Sequence, residues 1–221
     1  DTKCLQDLRP TDPRHDKTRI ENTKGGMLRG AYRWILDNPE FRQWRDDEDS
    51  LLWIKGDPGK GKTMLLCGII DELSMVTRLR DEEATTLLSY FFCQAADLRI
   101  NNATAVLRGL IYILLDQQPF LIRHARKAYD HVGKSLFEDA NSWFALSEIF
   151  TSILQDPILT SAYLIIDALD ECVTDLPKLL DLVATMSSLN PRVKWLVSSR
   201  NWSELDGLLQ VRLRHSYVKI F

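Results

Sequence analysis

Apolar and polar positions along this chain alternate between two regimes, short hydrophobic runs and longer stretches of helical period. Residues 51–54, 86–92, 162–166 and 193–197 are near-continuous apolar runs of strand length, the second rich in aromatic and β-favouring residues. Between them the spacing is helical. Residues 62–75 form one such stretch, and another begins near Asn102 with Leu107, Leu110, Ile111 and Leu114 on one face. Residues 119–131 follow, then a stretch from Ser142 with Trp143, Leu146, Phe150 and Ile153 in one stripe, then 176–188. Strands apolar on both sides and separated by helices predict a parallel sheet covered on both faces. Such sheets bind ligands at the carboxyl ends of their strands.

Ahead of the first strand the pattern is weaker. Residues 1–25 are polar and turn-rich, with Pro10, Pro13 and Gly25-Gly26, and read as an ordered or semi-ordered lead-in. Residues 27–36 predict a short helix ended by Asn38-Pro39, and 45–50 a charged connector.

Composition narrows the function classes. At 221 residues, with 45% hydrophobic content, the chain suits one α/β domain whose core needs neither disulfides nor metals. A net charge of −3 argues against broad, sequence-independent nucleic-acid binding. Cys4, Cys67, Cys93 and Cys172 are far apart and form no C-x-x-C pair, so they read as buried thiols in a reducing compartment. The four histidines suggest no metal site. No apolar run approaches the ~20 residues of a membrane span, and the expected location is cytoplasmic. The first residue is Asp rather than Met, so the chain is expected to be a fragment.

Three motifs carry chemistry. Gly56-Asp57-Pro58-Gly59-Lys60-Gly61-Lys62-Thr63 fits G-x-x-x-x-G-K-[ST] and lies between a strand and a helix, the context that gives the pattern meaning. The glycines let backbone N–H groups approach phosphate oxygens, and the helix N-terminus beginning at Lys62, Thr63 and Met64 adds partial positive charge. Lys62 is expected on the β- and γ-phosphates and the Thr63 hydroxyl on Mg²⁺, with Lys60 solvated. The strand 163–167 ends in Asp167, the candidate Mg²⁺ carboxylate, followed by Asp170 and Glu171. Asp170 is the favoured residue for activating water, and Glu171 the alternative. The last strand ends in Ser198-Ser199-Arg200, where the guanidinium could sense a γ-phosphate. Adenine and guanine are not distinguished, since no base-reading motif is present, so ATP/ADP and GTP/GDP remain equal candidates.

Together these motifs resemble the Walker A, Walker B and sensor-1 motifs of NACHT domains, which belong to the STAND class of signal-transducing NTPases. The Asp167-Ala-Leu-Asp-Glu171 form is specific to that family. Flanking segments, Asp12-Pro-Arg, Lys24-Gly-Gly, Trp34-Ile-Leu, Leu52-Trp-Ile-Lys-Gly-Asp and Phe91-Phe-Cys93, are similar to NOD-like receptors of filamentous fungi. The resemblance runs from about Cys4 to Leu205. It implies a three-layer P-loop NTPase with a mainly parallel five-stranded sheet of order 5-1-4-3-2, flanked by helices. It implies a lead-in over 1–49 and a core over 50–221 that stops before winged-helix and repeat regions. It also implies a switch, resting with a diphosphate and active with a triphosphate, that drives homo-oligomerisation in non-self recognition and programmed cell death. Two other readings stand beside the slow switch: an ordinary fast-turnover ATPase, and a binding-only remnant.

Overall fold

The computed structural model describes residues 1–26, 30–47 and 49–201, with the backbone of 216–220. Strand β1 (Leu51–Gly56) leads into helix α4 (Lys62–Ser74), and β2 (Thr86–Phe92) into α5 (Ala103–Gln117). A short 3-10 turn and α6 (Arg123–Val132) precede α7 (Ser142–Gln155) and β3 (Ser161–Asp167). Helix α8 (Leu176–Leu189) and β4 (Val193–Ser199) follow. Each of these four strands lies within two residues of its apolar run, because burial on both faces leaves little choice of boundary.

The sheet order is β2-β3-β4-β1-β5, with every described pairing parallel. β2 and β3 run side by side from Thr86↔Ser161 to Phe92↔Asp167, adjacent as they are in the order 5-1-4-3-2. Four strands, β2 to β1, carry described side chains. The backbone of β5 (Ser216–Ile220) pairs along β1 from Leu52 to Gly56, in a segment where the hydrophobic pattern identified no strand.

Helices cover both faces. Phe150 of α7 packs edge-on against Trp195, and Ser89 donates to the Leu110 carbonyl of α5, so α5 and α7 share one face. The Gln117 side chain accepts from Leu88 N and donates to Leu88 O, fastening the end of α5 to β2. Residue parity puts Tyr163 on the opposite face, where Trp44 meets it with ring centroids 5.6 Å apart.

The lead-in is more regular than its sequence suggests. Helices α1 (Thr2–Leu8) and α2 (Pro13–Thr23) occupy the stretch read as an ordered or semi-ordered lead-in, and α3 (Pro39–Asp46) runs two residues into the connector expected over 45–50. Residues 27–29 of the predicted short helix lie outside the described residues, and Arg33–Asp37 forms only a 3-10 turn. Asn38-Pro39 ends that 3-10 turn and also starts a helix. The Asn38 side chain accepts from Phe41 N at 3.0 Å, and Pro39 occupies the first turn, where a missing N–H costs nothing. Asp12-Pro13 starts α2 in the same way. Leu8, Ile20, Ile35, Phe41 and Trp44 join the same buried core as the strands, whereas Trp34 is half exposed.

Helix α2 is tied on two sides. Arg14 reaches Asp116 of α5 at 2.6 Å, and Lys17 reaches Asp71 of α4 at 2.8 Å. The buried Lys17 ammonium, which also bonds Glu21, is held charged against its own desolvation by these two carboxylates.

Candidate functional site

The loop from β1 to α4 turns at Gly59 and Gly61, both at positive φ (77° and 84°), and Gly61 N-caps α4. The amino end of α4 therefore opens onto a cleft at the carboxyl ends of the strands. The cleft encloses about 290 Å³ and is lined by Pro58 to Met64, by Asp167, Ala168, Asp170, Glu171 and Arg200, and by Lys24. Gly56 and Asp57 do not line it. Their carbonyls accept from the Lys62 ammonium, that of Asp57 at 3.0 Å. The Asp57 carboxylate accepts from the Asn201 amide at 2.9 Å, linking the loop to the exit of β4.

Asp167 ends β3 and is 2% exposed. Ser198 Oγ donates to Asp167 Oδ1 at 2.5 Å, and the Thr63 side chain, in the same cleft, also favours the ionised carboxylate. Burial pushes the Asp167 carboxyl above its ordinary range of about 3.8; the two hydroxyls, and more weakly Lys62, act in the other direction. Ser198 Oγ also accepts from Ala168 N at 2.9 Å. Ala168 is left-handed (φ 54°), a conformation that costs a residue with a Cβ about 1 kcal/mol. The turn it makes brings Asp170 and Glu171 back over the cleft.

The acidic pair is already engaged. Asp170, 6% exposed at its side chain, accepts from Arg200 N and from Arg200 Nε, each at 3.0 Å. Glu171 accepts from Ala95 N at 3.0 Å and lies 3.6 Å from the Arg200 guanidinium. The loop after β2 is stitched to the same turn, since Cys93 N donates to Asp167 O and Val173 N to Asn101 O. Asp170, Glu171 and Arg200 thus form one cluster beside Asp167. Ser198, Lys24 and the Ala95 anchor had no assigned part in the sequence reading. Only Ser198 carried a signal, as a hydroxyl next to the terminal arginine of its strand.

Among the described residues no cluster of three or more His, Cys, Asp or Glu is arranged to hold a metal by itself. All four cysteines are buried free thiols, and burial pushes that of Cys67 up to about 12. Asn102 caps α5, its side-chain carbonyl accepting from Ala105 N. No described helix is long and apolar enough to cross a membrane.

A parallel sheet of this order, with a glycine loop feeding a helix beside an acidic strand end, defines the α/β fold of P-loop NTPases. The Walker-type ATPase of Pyrococcus abyssi has a similar fold, at 13% identity and a TM-score of 0.50, over 88% of this chain and 53% of that one. The chain belongs to the family described as Nephrocystin 3, N-terminal, which it matches over residues 30–200. It is also 63% identical, along all 221 residues, to the Vegetative incompatibility protein HET-E-1 of Podospora anserina. It spans 16% of that relative's length. The domain is accordingly of the NACHT type found in fungal NOD-like receptors, as its motifs suggest.

Proposed function

We infer that the cleft binds a nucleoside triphosphate or diphosphate with Mg²⁺, and that the domain works as a slow, nucleotide-controlled switch. One observation carries this reading. A buried carboxylate, Asp167, lines the same cleft as the first-turn hydroxyl Thr63, at the amino end of a helix whose Lys62 faces the same loop. A P-loop site is built from these groups, and few other chemistries need them together.

The residues fit Mg²⁺ in the manner usual for phosphate-borne magnesium, which takes one or two carboxylates and leaves the remaining positions to phosphate and water. Thr63 and Asp167 would hold it. Mg²⁺ would supply charge that neutralises the phosphates and offsets the desolvation of Asp167. Lys62 would exchange its loop carbonyls for phosphate oxygens, and the backbone N–H groups of Gly59 to Met64 would bind the anion. Asp170 is suited to orient and deprotonate water, but only when Arg200 no longer saturates its oxygens. Arg200 is suited to the γ-phosphate. Such an exchange of partners would make the triphosphate state structurally distinct from the diphosphate state. Glu171, bound to Ala95 N, is better suited to holding the turn than to taking a proton.

The likeness to a vegetative incompatibility protein supports a setting in fungal non-self recognition, with nucleotide-dependent oligomerisation and programmed cell death as the output of a longer chain. A cytoplasmic location, nucleotide as the principal ligand, and no role for nucleic acid complete the proposal. ATP and GTP are equal candidates. Turnover tests it. A switch hydrolyses far below about 1 s⁻¹, the lower end of ordinary enzyme rates. Sustained turnover within the range of roughly 1–10³ s⁻¹ would instead support the fast ATPase.

A further inference from the structure

Lys24 lines the phosphate-loop cleft from outside the three motifs that define it. It belongs to the lead-in, 38 positions before Lys62 (62 − 24). Among the described residues its ammonium makes no hydrogen bond and no ion pair, whereas Lys62 and Arg200 both have protein partners.

Its place is fixed by backbone. Helix α2 ends at Lys24 in a Schellman stop: Gly25 N donates to Asn22 O at 3.3 Å and Gly26 N to Glu21 O at 2.8 Å. Gly25 has φ +85°, a left-handed value that a side chain would resist. The helix itself is clamped to α4. Lys17 bonds Asp71 near the carboxyl end of α4, while Lys24 lies by the cleft with Met64 at its amino end. The two helices therefore run antiparallel, and the carboxyl end of α2 points toward the site. Tyr32 strengthens the clamp, with its hydroxyl on Glu72 at 2.7 Å and its ring packed over Gly68.

The carboxyl end of a helix carries partial negative charge, which is unfavourable beside a polyphosphate. A cation at that end reverses the local sign, and an ammonium without a protein partner is free to bond an anion. We propose that Lys24 is a nucleotide-binding residue, supplied by the lead-in, that contacts the anionic part of the nucleotide in the phosphate-loop cleft. This rests on the nucleotide reading of that cleft. It makes the lead-in part of the binding site rather than a scaffold outside it.

The test is equilibrium titration of the purified chain with Mg²⁺-ATP and Mg²⁺-GTP, at low and high salt, for the unaltered protein, Lys24→Gln, Lys24→Arg and Lys62→Ala. Lys24→Gln should lose about tenfold in affinity for the bound nucleotide at low salt, the worth of one charge-assisted bond, and less at high salt. Lys24→Arg should restore most of it, and thermal melting should stay unchanged for both exposed-site variants. Affinity for Lys24→Gln within twofold of the unaltered protein, while Lys62→Ala loses binding, would overturn the proposal and leave the cleft assignment standing. An unaltered protein that binds neither nucleotide would overturn both.

Discussion

Replacing Asp167 by Asn separates what the site needs from what the fold prefers. The carboxylate is 2% exposed and accepts a hydrogen bond from the neutral Ser198 hydroxyl at 2.5 Å, with Thr63 and, more weakly, Lys62 favouring its ionised form. Burial of an ion without a touching counter-ion is unfavourable, and an isosteric amide removes that penalty while keeping a carbonyl for the Ser198 hydroxyl. Asp167→Asn should therefore raise stability by about 1 kcal/mol, or roughly 2–4 °C in melting temperature for a chain of this size. The same change should cost about 2–3 kcal/mol of Mg²⁺-nucleotide binding, roughly 30- to 150-fold, because a charged Mg²⁺ ligand becomes neutral. The pH dependence has a definite sign. The folded Asp167 carboxyl is raised above 3.8, so the native state holds a proton where the unfolded chain does not. Native stability from this group is fully present below the unfolded value and is lost as pH rises through the folded one. Mg²⁺-nucleotide binding needs the ionised form, and so weakens as pH falls through the same raised value. The assay pairs thermal melting with titration calorimetry of Mg²⁺-ATP and Mg²⁺-GTP across an acid-to-neutral series. A melting temperature lowered by several degrees together with unchanged Mg²⁺-dependent affinity would refute the reasoning.

Other perturbations address separate parts of the account. Asp170→Asn should leave nucleotide binding within a few-fold and slow hydrolysis by about 10²-fold or more, measured by single-turnover phosphate release; loss of Mg²⁺-dependent binding would make Asp170 a metal residue instead. Gly68→Ala would place a Cβ 2.3 Å from the Tyr32 ring, so it should destabilise the chain by about 1–3 kcal/mol in denaturant unfolding; an unchanged midpoint would mean that the lead-in is not packed as described. Ser198→Ala removes the hydroxyl that joins Asp167 to Ala168 N and should cost about 1–3 kcal/mol of stability in the same unfolding measurement. That cost should shrink in the Asp167→Asn background, and full additivity would contradict the shared bond.

The parts of the molecule legible in the sequence are those fixed by local pattern. β2 and α4 follow from uninterrupted apolar runs and from a glycine loop that tolerates little variation between strand and helix. Asp167, Asp170 and Arg200 are legible as candidates because they lie at or just beyond strand ends, and a parallel sheet delivers strand ends to one edge. The lead-in helices were missed for a local reason. Asp12-Pro13 and Asn38-Pro39 are written with the residues of turns, and what makes them helix starts is the caps they form and the core contacts of Leu8, Ile20, Phe41 and Trp44. The linking roles of Ser198 and Glu171 are hidden for a non-local one. Ser198 meets Asp167 across 31 residues and Glu171 meets Ala95 across 76, pairings that no periodicity encodes.

The central claim is that this cleft holds a nucleotide, and it is tested most directly by denaturing freshly purified protein and weighing the released small molecules by mass spectrometry. Retention of about one nucleoside diphosphate per chain is the predicted result, and it would name the base at the same time. Protein that releases no nucleotide, and then binds neither Mg²⁺-ATP nor Mg²⁺-GTP on titration, would contradict the account.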